Sequence, residues 1–88
     1  MARFMVEGAL RGPHTPETLA LIPAEIARGE EVDRAGMRTG IYVAADLSRA
    51  WQVYDLPSVE AVERVLATFP LHPHLAQTIT PLSQEANP

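Results

Sequence analysis

Cysteine and lysine are both missing from this 88-residue sequence. Without cysteine the chain has no disulfide and no thiolate ligand for a metal ion. Arginine supplies all seven basic residues, and eleven acidic residues leave a formal net charge of −4. Nucleic-acid-binding surfaces need clustered basic charge, so we expect no nucleic acid partner.

Long apolar runs are missing as well. No stretch approaches the roughly 20 apolar residues of a membrane span, and Glu7 interrupts the apolar residues 4–6 too early for a secretory signal. We therefore expect a cytoplasmic protein without a membrane partner. A chain of 88 residues has room for one domain. Because so short a chain buries only roughly 60–65% of its surface on folding, self-association is a common means of stabilising it.

Period-two alternation of apolar residues indicates four strands. They are predicted at residues 2–8, 39–45, 50–56 and 75–82. Residues 46–49 make a tight connection, so the second and third strands are expected to form a hairpin. Asp46 and Ser48 are residue types that commonly close such a turn.

The first helix is predicted to begin at Thr15-Pro16, because Thr is a good cap and Pro fits the first helical position. Apolar residues at helical spacing then indicate its inward face. They are Leu19, Ile22, Ile26, Val32 and Ala35. Pro23 lies inside this pattern and is expected to kink or restart the helix. Gly36 suits the C-terminal end.

The second helix is predicted to begin at Pro57-Ser58, with Glu60 in the first turn, where the helix dipole favours an acid. Its apolar stripe consists of Val59, Val62, Val65, Leu66 and Phe69. Pro70 is expected to end it.

The predicted order β-α-β-β-α-β is that of the split βαβ, ferredoxin-like fold. We expect one α+β domain over residues 1–82, with a four-stranded antiparallel sheet and both helices on one face, and a polar C-terminal tail at 83–88. The strands are apolar on both faces, since Trp51 and Val53 alternate with Tyr54. Such a sheet needs a cover on both sides. A second copy packed sheet to sheet is therefore predicted, as a homodimer or higher oligomer.

Two segments carry a resemblance to a known family. Residues 53–62 read Val-Tyr-Asp-Leu-Pro-Ser-Val-Glu-Ala-Val, and residues 69–75 read Phe-Pro-Leu-His-Pro-His-Leu. Their pattern and spacing resemble the muconolactone δ-isomerase family. The resemblance implies a dimeric α/β barrel, higher oligomers, and cofactor-free isomerisation of an unsaturated lactone in aromatic compound degradation.

The sequence also departs from that family's pattern. His72 and His74 stand where the family has aromatic residues, and Glu7 stands where a basic residue is expected on the first strand. All three changes are expected near the pocket, so they affect which substrate the protein would accept.

The predicted topology brings distant residues to one edge of the sheet. The first two strands run antiparallel to the last two, so the ends of the former meet the starts of the latter. Residues that can carry chemistry gather there: Glu7, Arg11, His14, Asp46, Arg49, Trp51, His72 and His74. The N-terminus of the first helix, at Thr15, faces the same edge and favours an anion.

Isomerisation of a lactone needs a base that removes and returns a proton, and a group that stabilises the dienolate. Histidine suits the first role because its pKa lies near neutrality, and a buried Glu with a raised pKa can also serve. Arginine or helix N–H groups suit the second. We predict catalytic roles for His74, His72 and Glu7. Substrate-binding roles are predicted for Arg11, His14, Arg49, Trp51 and Tyr54.

The resemblance implies that no cofactor is needed. We expect no metal ion, because neither a Cys nor an acidic pair accompanies the three histidines at a recognisable spacing. Trp51 and Tyr54 are also typical of core or dimer contacts. Two functional alternatives remain open. One is a non-catalytic dimer that binds a small carboxylate or lactone, and the other is a cofactor-independent oxygenase of the dimeric α/β barrel group.

Overall fold

Four strands and two helices follow one another in the predicted order in the computed structural model, which describes residues 1–83. The elements are β1 (Ala2–Leu10), α1 (Pro16–Arg34), β2 (Arg38–Val43), β3 (Ala50–Leu56), α2 (Val59–Leu66), a short 3₁₀ helix (His72–His74) and β4 (Leu75–Leu82). Beyond Ser83, the predicted polar tail lies outside the described residues. No helix within residues 1–83 is long and apolar enough to cross a membrane.

The sheet has the strand order β2-β3-β1-β4, and all neighbouring strands are antiparallel. β1 therefore lies inside the sheet, between β3 and β4. The predicted fold class, a ferredoxin-like α+β fold, is confirmed. The ends of β1 and β2 lie at the same edge as the starts of β3 and β4, and this edge is called the rim below.

The hydrophobic core lies between the helices and one face of the sheet. It consists of Phe4, Val6, Tyr54, Leu56, Val62 and Leu66. Alternate residues of β1 and β3 point into it, and Val62 and Leu66 follow at helical spacing on α2. The predicted inward stripe of the second helix is correct at these two positions.

Helix α1 begins as predicted. Thr15 is the N-cap, and its side chain accepts a hydrogen bond from the Thr18 backbone N–H while the Thr18 hydroxyl accepts one from the Thr15 N–H. The helix does not restart at Pro23, because one helix runs from Pro16 to Arg34. Pro23 lies on the exposed side of α1, where water can bind the carbonyl that loses its helical donor.

The predicted inward face of α1 is correct at Val32 and wrong at Leu19 and Ile26. Leu19 is 51% exposed and Ile26 is 58% exposed, whereas Val32 is buried. The other buried positions are Thr18 and Gly29, which with Val32 define a neighbouring face of the helix. α1 carries apolar residues on two sides, so hydrophobic spacing alone could not select the side that packs on the sheet.

Element ends differ from prediction by a few residues, although β3 and β4 have their predicted bounds. β1 extends two residues beyond Gly8, because Ala9 and Leu10 pair with the start of β4. β2 ends at Val43, where the hairpin turn begins with the Ala44 N–H donating to the Arg49 carbonyl. In that turn the Asp46 carboxylate accepts bonds from the Ser48 N–H and hydroxyl.

The two helix ends depend on short local signals. Gly36 follows the end of α1 with φ 77°, a left-handed conformation that glycine adopts without strain. α2 ends at Leu66, earlier than the expected stop at Pro70, with Ala67 as its C-cap. Phe69 lies beyond the helix and is still buried.

Candidate functional site

A cavity of about 340 Å³ lies between α1 and the helix-covered face of the sheet. This helix–sheet cavity is lined by Gly8, Glu25, Ile26, Gly29, Glu30, Asp33, Arg38, Ile41, Ala50, Gln52, Phe69, Leu71, Leu75 and Gln77. Most of the lining is apolar, and its polar groups come mainly from α1 and the two strands β2 and β3. A largely apolar cavity with a few converging polar groups is typical of a small-molecule site.

Glu25 brings a carboxylate into the cavity from the inward side of α1. It is half-buried, and its Oε1 accepts a hydrogen bond from the Leu71 backbone N–H at 2.8 Å. Burial raises the pKa of Glu25, and this outweighs the Leu71 bond and the nearby Arg38 and His72, which act to lower it. A carboxylate with a raised pKa is suited to accept a proton from carbon and to return it.

Arg38 brings a guanidinium to the cavity wall from the start of β2. Its Nε and Nη2 donate to the Asp33 carboxylate at 2.7 and 3.1 Å, and its Nη1 donates to Gln52 Oε1 at 2.9 Å. The side chain is 8% exposed, and its guanidinium carbon lies 5.9 Å from the centre of the Phe69 ring. Burial opposes the charged form, but the bonds to Asp33 and the proximity of Tyr54 raise the pKa of Arg38.

The Asp33–Arg38 pair leaves part of the guanidinium available. The hydrogen bond from Arg38 lowers the pKa of Asp33, so both groups are charged near neutral pH. Arginine has five N–H donors, and Asp33 and Gln52 accept from three of them. The Tyr54 hydroxyl also forms a hydrogen-bonding contact with the guanidinium, so Arg38 keeps one N–H that can donate to an oxygen in the cavity.

Gly29 leaves room for the Arg38 guanidinium to lie against α1. It is buried, and a Cβ at this position would lie 2.7 Å from Arg38 Nη2. A larger residue would therefore push Arg38 away from the helix. The glycine in the middle of α1 is explained by this close approach.

Tyr54, one of the predicted substrate-binding residues, lies in the core behind this wall. It is completely buried, and its hydroxyl donates to Gln52 Oε1 at 2.8 Å. Burial raises its pKa to about 12, so the phenol stays protonated at neutral pH. Tyr54 is connected to the cavity through Gln52, which it shares with Arg38 as a hydrogen-bond acceptor.

Four other predicted site residues lie together at the rim. Arg11 and His74 line a cleft of about 190 Å³, where the Arg11 backbone N–H donates to the His74 carbonyl at 3.0 Å. His14 and Arg49 line an adjoining cleft of about 150 Å³. His14 Nδ1 lies 3.1 Å from the Thr18 hydroxyl, beside the start of α1. The topology therefore brings these segments together. The cleft of His14 and Arg49 adjoins the helix–sheet cavity, because both are lined by Gly8, Ala50, Leu71 and Leu75.

The remaining predicted residues are divided between two other places. Glu7 and Trp51 are cross-strand partners on the sheet face away from the helices, and Glu7 forms an ion pair with Arg49. His72 lies on the 3₁₀ helix, and its Nδ1 is buried without a hydrogen-bond partner in the described part of the chain. The eight predicted residues thus do not share one cavity.

Sequence reasoning missed Glu25 and Arg38. The available signal for Glu25 was its position: it lies seven residues before Val32 and four before Gly29, on the face that proves to be inward. An acid on an inward helix face is uncommon unless it has a role. For metal binding, residues 1–83 contain no group of three or more His, Asp or Glu side chains arranged to hold an ion.

Solved structures and a family model are similar to this chain. A crystal structure of muconolactone isomerase superimposes with a TM-score of 0.83 at 22% identity, covering 98% of this chain and 93% of that one. A structural-genomics protein from Agrobacterium tumefaciens gives a TM-score of 0.47 at 13% identity, covering 94% and 95% of the two chains. No curated protein sequence matches significantly. The family model of muconolactone delta-isomerase matches residues 3–87, and the chain therefore belongs to the muconolactone delta-isomerase family.

Proposed function

We propose that this protein moves a double bond within an unsaturated lactone by proton transfer, without a cofactor. One observation carries the proposal: the Glu25 carboxylate and the Arg38 guanidinium line the same largely apolar cavity. They supply the base and the anion-stabilising group that this reaction needs. Membership of the muconolactone delta-isomerase family supports the same reaction class.

The proposed reaction has two proton transfers and one intermediate. Glu25 accepts a proton from the saturated ring carbon at one end of the conjugated system, and the electron pair of the broken C–H bond forms a dienolate. The remaining N–H of Arg38 donates to the oxygen on which the negative charge develops. Glu25 then returns the proton to the far end of the conjugated system, which completes the shift of the double bond and restores the carboxylate.

Neighbouring groups hold this pair in place and keep water out. Asp33 and Gln52 orient the guanidinium, and Tyr54 in turn orients Gln52. Phe69 and Leu71 provide apolar surface for the ring of the substrate. Exclusion of water strengthens the interaction of Arg38 with the dienolate oxygen, because the local dielectric constant is lower.

The rim residues form a second candidate location for the same chemistry. There His74 would be the base, with His72 nearby, and Arg11, His14 and Arg49 would bind an anionic group. Positive charge and a titratable base do meet at the rim, but its two clefts of about 190 and 150 Å³ are smaller than the helix–sheet cavity. The helix–sheet cavity is therefore preferred.

Two substitutions distinguish the two locations. Turnover of muconolactone and of the uncharged 5-methylfuran-2(3H)-one is followed by proton NMR for the parent, Glu25→Gln and His74→Ala. We expect Glu25→Gln to lose about 10²–10⁴-fold in kcat, the usual contribution of a general base. His74→Ala is expected to stay within about threefold of the parent, since His74 lies at the rim and takes no part in the proposed proton transfers.

Other outcomes contradict parts of the proposal. The opposite pattern of losses would place the reaction at the rim. No turnover of either lactone by the parent, combined with measurable lactone binding, would favour the non-catalytic ligand-binding alternative.

A further inference from the structure

The helix–sheet cavity carries an excess of negative charge. Its lining contains the carboxylates of Glu25, Glu30 and Asp33 and the single guanidinium of Arg38. Three negative charges face one positive charge, so the wall has a net charge of −2 when Glu25 is ionised. The positive charge is also in direct contact with one of the negative ones, because Asp33 binds Arg38 through two hydrogen bonds.

Cations outside the lining offset this excess only in part. The lining residues include no second arginine and no histidine among residues 1–83, and the sequence has no lysine. Arg11 and His74 line one rim cleft, and Arg49 lines the cleft that adjoins the cavity but is itself ion-paired with Glu7. His72 is near enough to influence Glu25 but does not line the cavity.

A lactone carbonyl and a carboxylate need different groups in the cavity lining. A carbonyl needs a hydrogen-bond donor, and Arg38 has an N–H available for it. A carboxylate needs net positive charge as well, since burying an unbalanced charge in an apolar cavity is costly. Here a carboxylate would meet Glu25 and Glu30, while the nearest cation is already paired with Asp33.

We infer that this cavity selects an uncharged unsaturated lactone over one that carries a carboxylate. The inference rests on the proposed function and specifies its substrate class. Muconolactone itself bears a carboxymethyl group, so the preferred substrate of this chain would be a lactone with an uncharged substituent at that position.

Binding of two saturated, unreactive lactones tests the inference without requiring turnover. The probes are 5-methyl-dihydrofuran-2-one and its 5-carboxymethyl counterpart, titrated at pH 7 with NMR detection of the cavity residues. We expect the uncharged probe to bind at least about tenfold more tightly, a difference of about 1.4 kcal/mol. Tighter binding of the carboxymethyl probe, or no binding of either in the cavity, would overturn the inference.

A matched pair of variants tests the electrostatic cause. Glu30→Gln removes one negative charge from the cavity wall, whereas Glu63→Gln removes one from an exposed position on α2. Glu30→Gln should tighten binding of the carboxymethyl probe severalfold and leave the uncharged probe unchanged, and Glu63→Gln should change neither. Equal effects of the two variants would contradict the inference.

Turnover then separates this inference from the proposed function. Preferential turnover of muconolactone over 5-methylfuran-2(3H)-one would uphold isomerase activity and overturn the charge selectivity. The absence of any turnover would count against the isomerase proposal alone, because the binding measurements stand independently of it.

Discussion

At the scale of single residues, Glu25 shows how the position of a carboxylate in the fold alters its pKa. Its pKa is raised because burial on α1 disfavours the charged form more than its partners favour it. The burial that makes Glu25 a useful base also lowers the stability of the folded protein when Glu25 is ionised. Activity and stability are therefore opposed at this residue.

Glu25→Gln should raise the free energy of unfolding at pH 7. The sign follows from the raised pKa: protonated Glu25 stabilises the fold below its usual value of 4.5, and that contribution is lost as the pH rises through the folded-state value. Glutamine does not ionise, so the variant keeps this contribution as the pH rises. Its side-chain oxygen can still accept the hydrogen bond from the Leu71 N–H. Urea unfolding of parent and variant at pH 7 and at pH 4 measures the difference, which should shrink at the lower pH. A difference that grows on acidification would show that burial does not control this group.

At the scale of elements, α1 serves the cavity as well as the core. Its inward face combines a small residue, Gly29, with the half-buried Glu25 and the buried Val32. Helix α2 has a more ordinary role, since it buries Val62 and Leu66 against the sheet. Changes to the two helices should therefore have different consequences.

Gly29→Ala should lower activity without weakening the fold. Alanine favours a helix over glycine by up to about 1 kcal/mol, but its Cβ would lie 2.7 Å from Arg38 Nη2 and displace the guanidinium. We expect kcat to fall by roughly tenfold or more, as for loss of one oxyanion donor, while urea unfolding shows little or no destabilisation. Ala27→Gly, at an exposed position of the same helix, is the control and should lose stability but keep activity. Unchanged kcat in Gly29→Ala would contradict the role given to Arg38.

Leu66→Ala should destabilise the protein by about 2–4 kcal/mol, and Val62→Ala by somewhat less, because both substitutions leave cavities in the core. Val62 is fully buried and Leu66 is 4% exposed. The free energy of unfolding in urea measures both effects, with Glu63→Gln as an exposed control on the same helix. Parent-like stability of Leu66→Ala would mean that α2 does not bury Leu66 against the sheet.

At the scale of the whole molecule, the sheet face away from the helices has no cover within residues 1–83. Met5, Trp51 and Val53 lie on this face, together with Tyr42, which is 67% exposed. Ion pairs between Arg3 and Asp55 and between Arg49 and Glu7 accompany them on the same face. An apolar centre accompanied by charged groups is typical of a protein interface.

The protein should therefore be at least a dimer in solution, with the two sheets packed face to face. Sedimentation of the parent at micromolar concentration is expected to give a mass of at least twice 9.6 kDa, and a stable interface should bury more than about 1,000 Å² in total. Val53→Asp should shift the protein towards the monomer, because it places a charge at the centre of the interface. Thr68→Asp, at an exposed site after α2, is the control. A folded monomer as the sole parent species would contradict the predicted sheet-to-sheet dimer.

Much of the fold could be predicted because its signals are local. Alternation along β3 and β4, the Thr15 cap and the apolar stripe of α2 depend on residues a few positions apart, and all of them are correct in the structure. The family resemblance in residues 53–75 agrees with the family match over residues 3–87. The meeting of Arg11, His14, Arg49 and His74 at the rim also followed from strand order alone.

Tertiary packing decided where the cavity lies and which groups line it. α1 has apolar residues on two sides, so only contact with the sheet determines that Glu25 and Gly29 face inward while Leu19 and Ile26 remain exposed. Arg38 became a candidate because packing buries it between Asp33, Gln52 and Gly29, three residues that sequence spacing does not associate. The sequence determined the elements and their order, since hydrogen bonding and periodicity act over short distances. The chemistry of the cavity depends on burial and on contacts between distant segments, and these exist only once the helices have packed on the sheet.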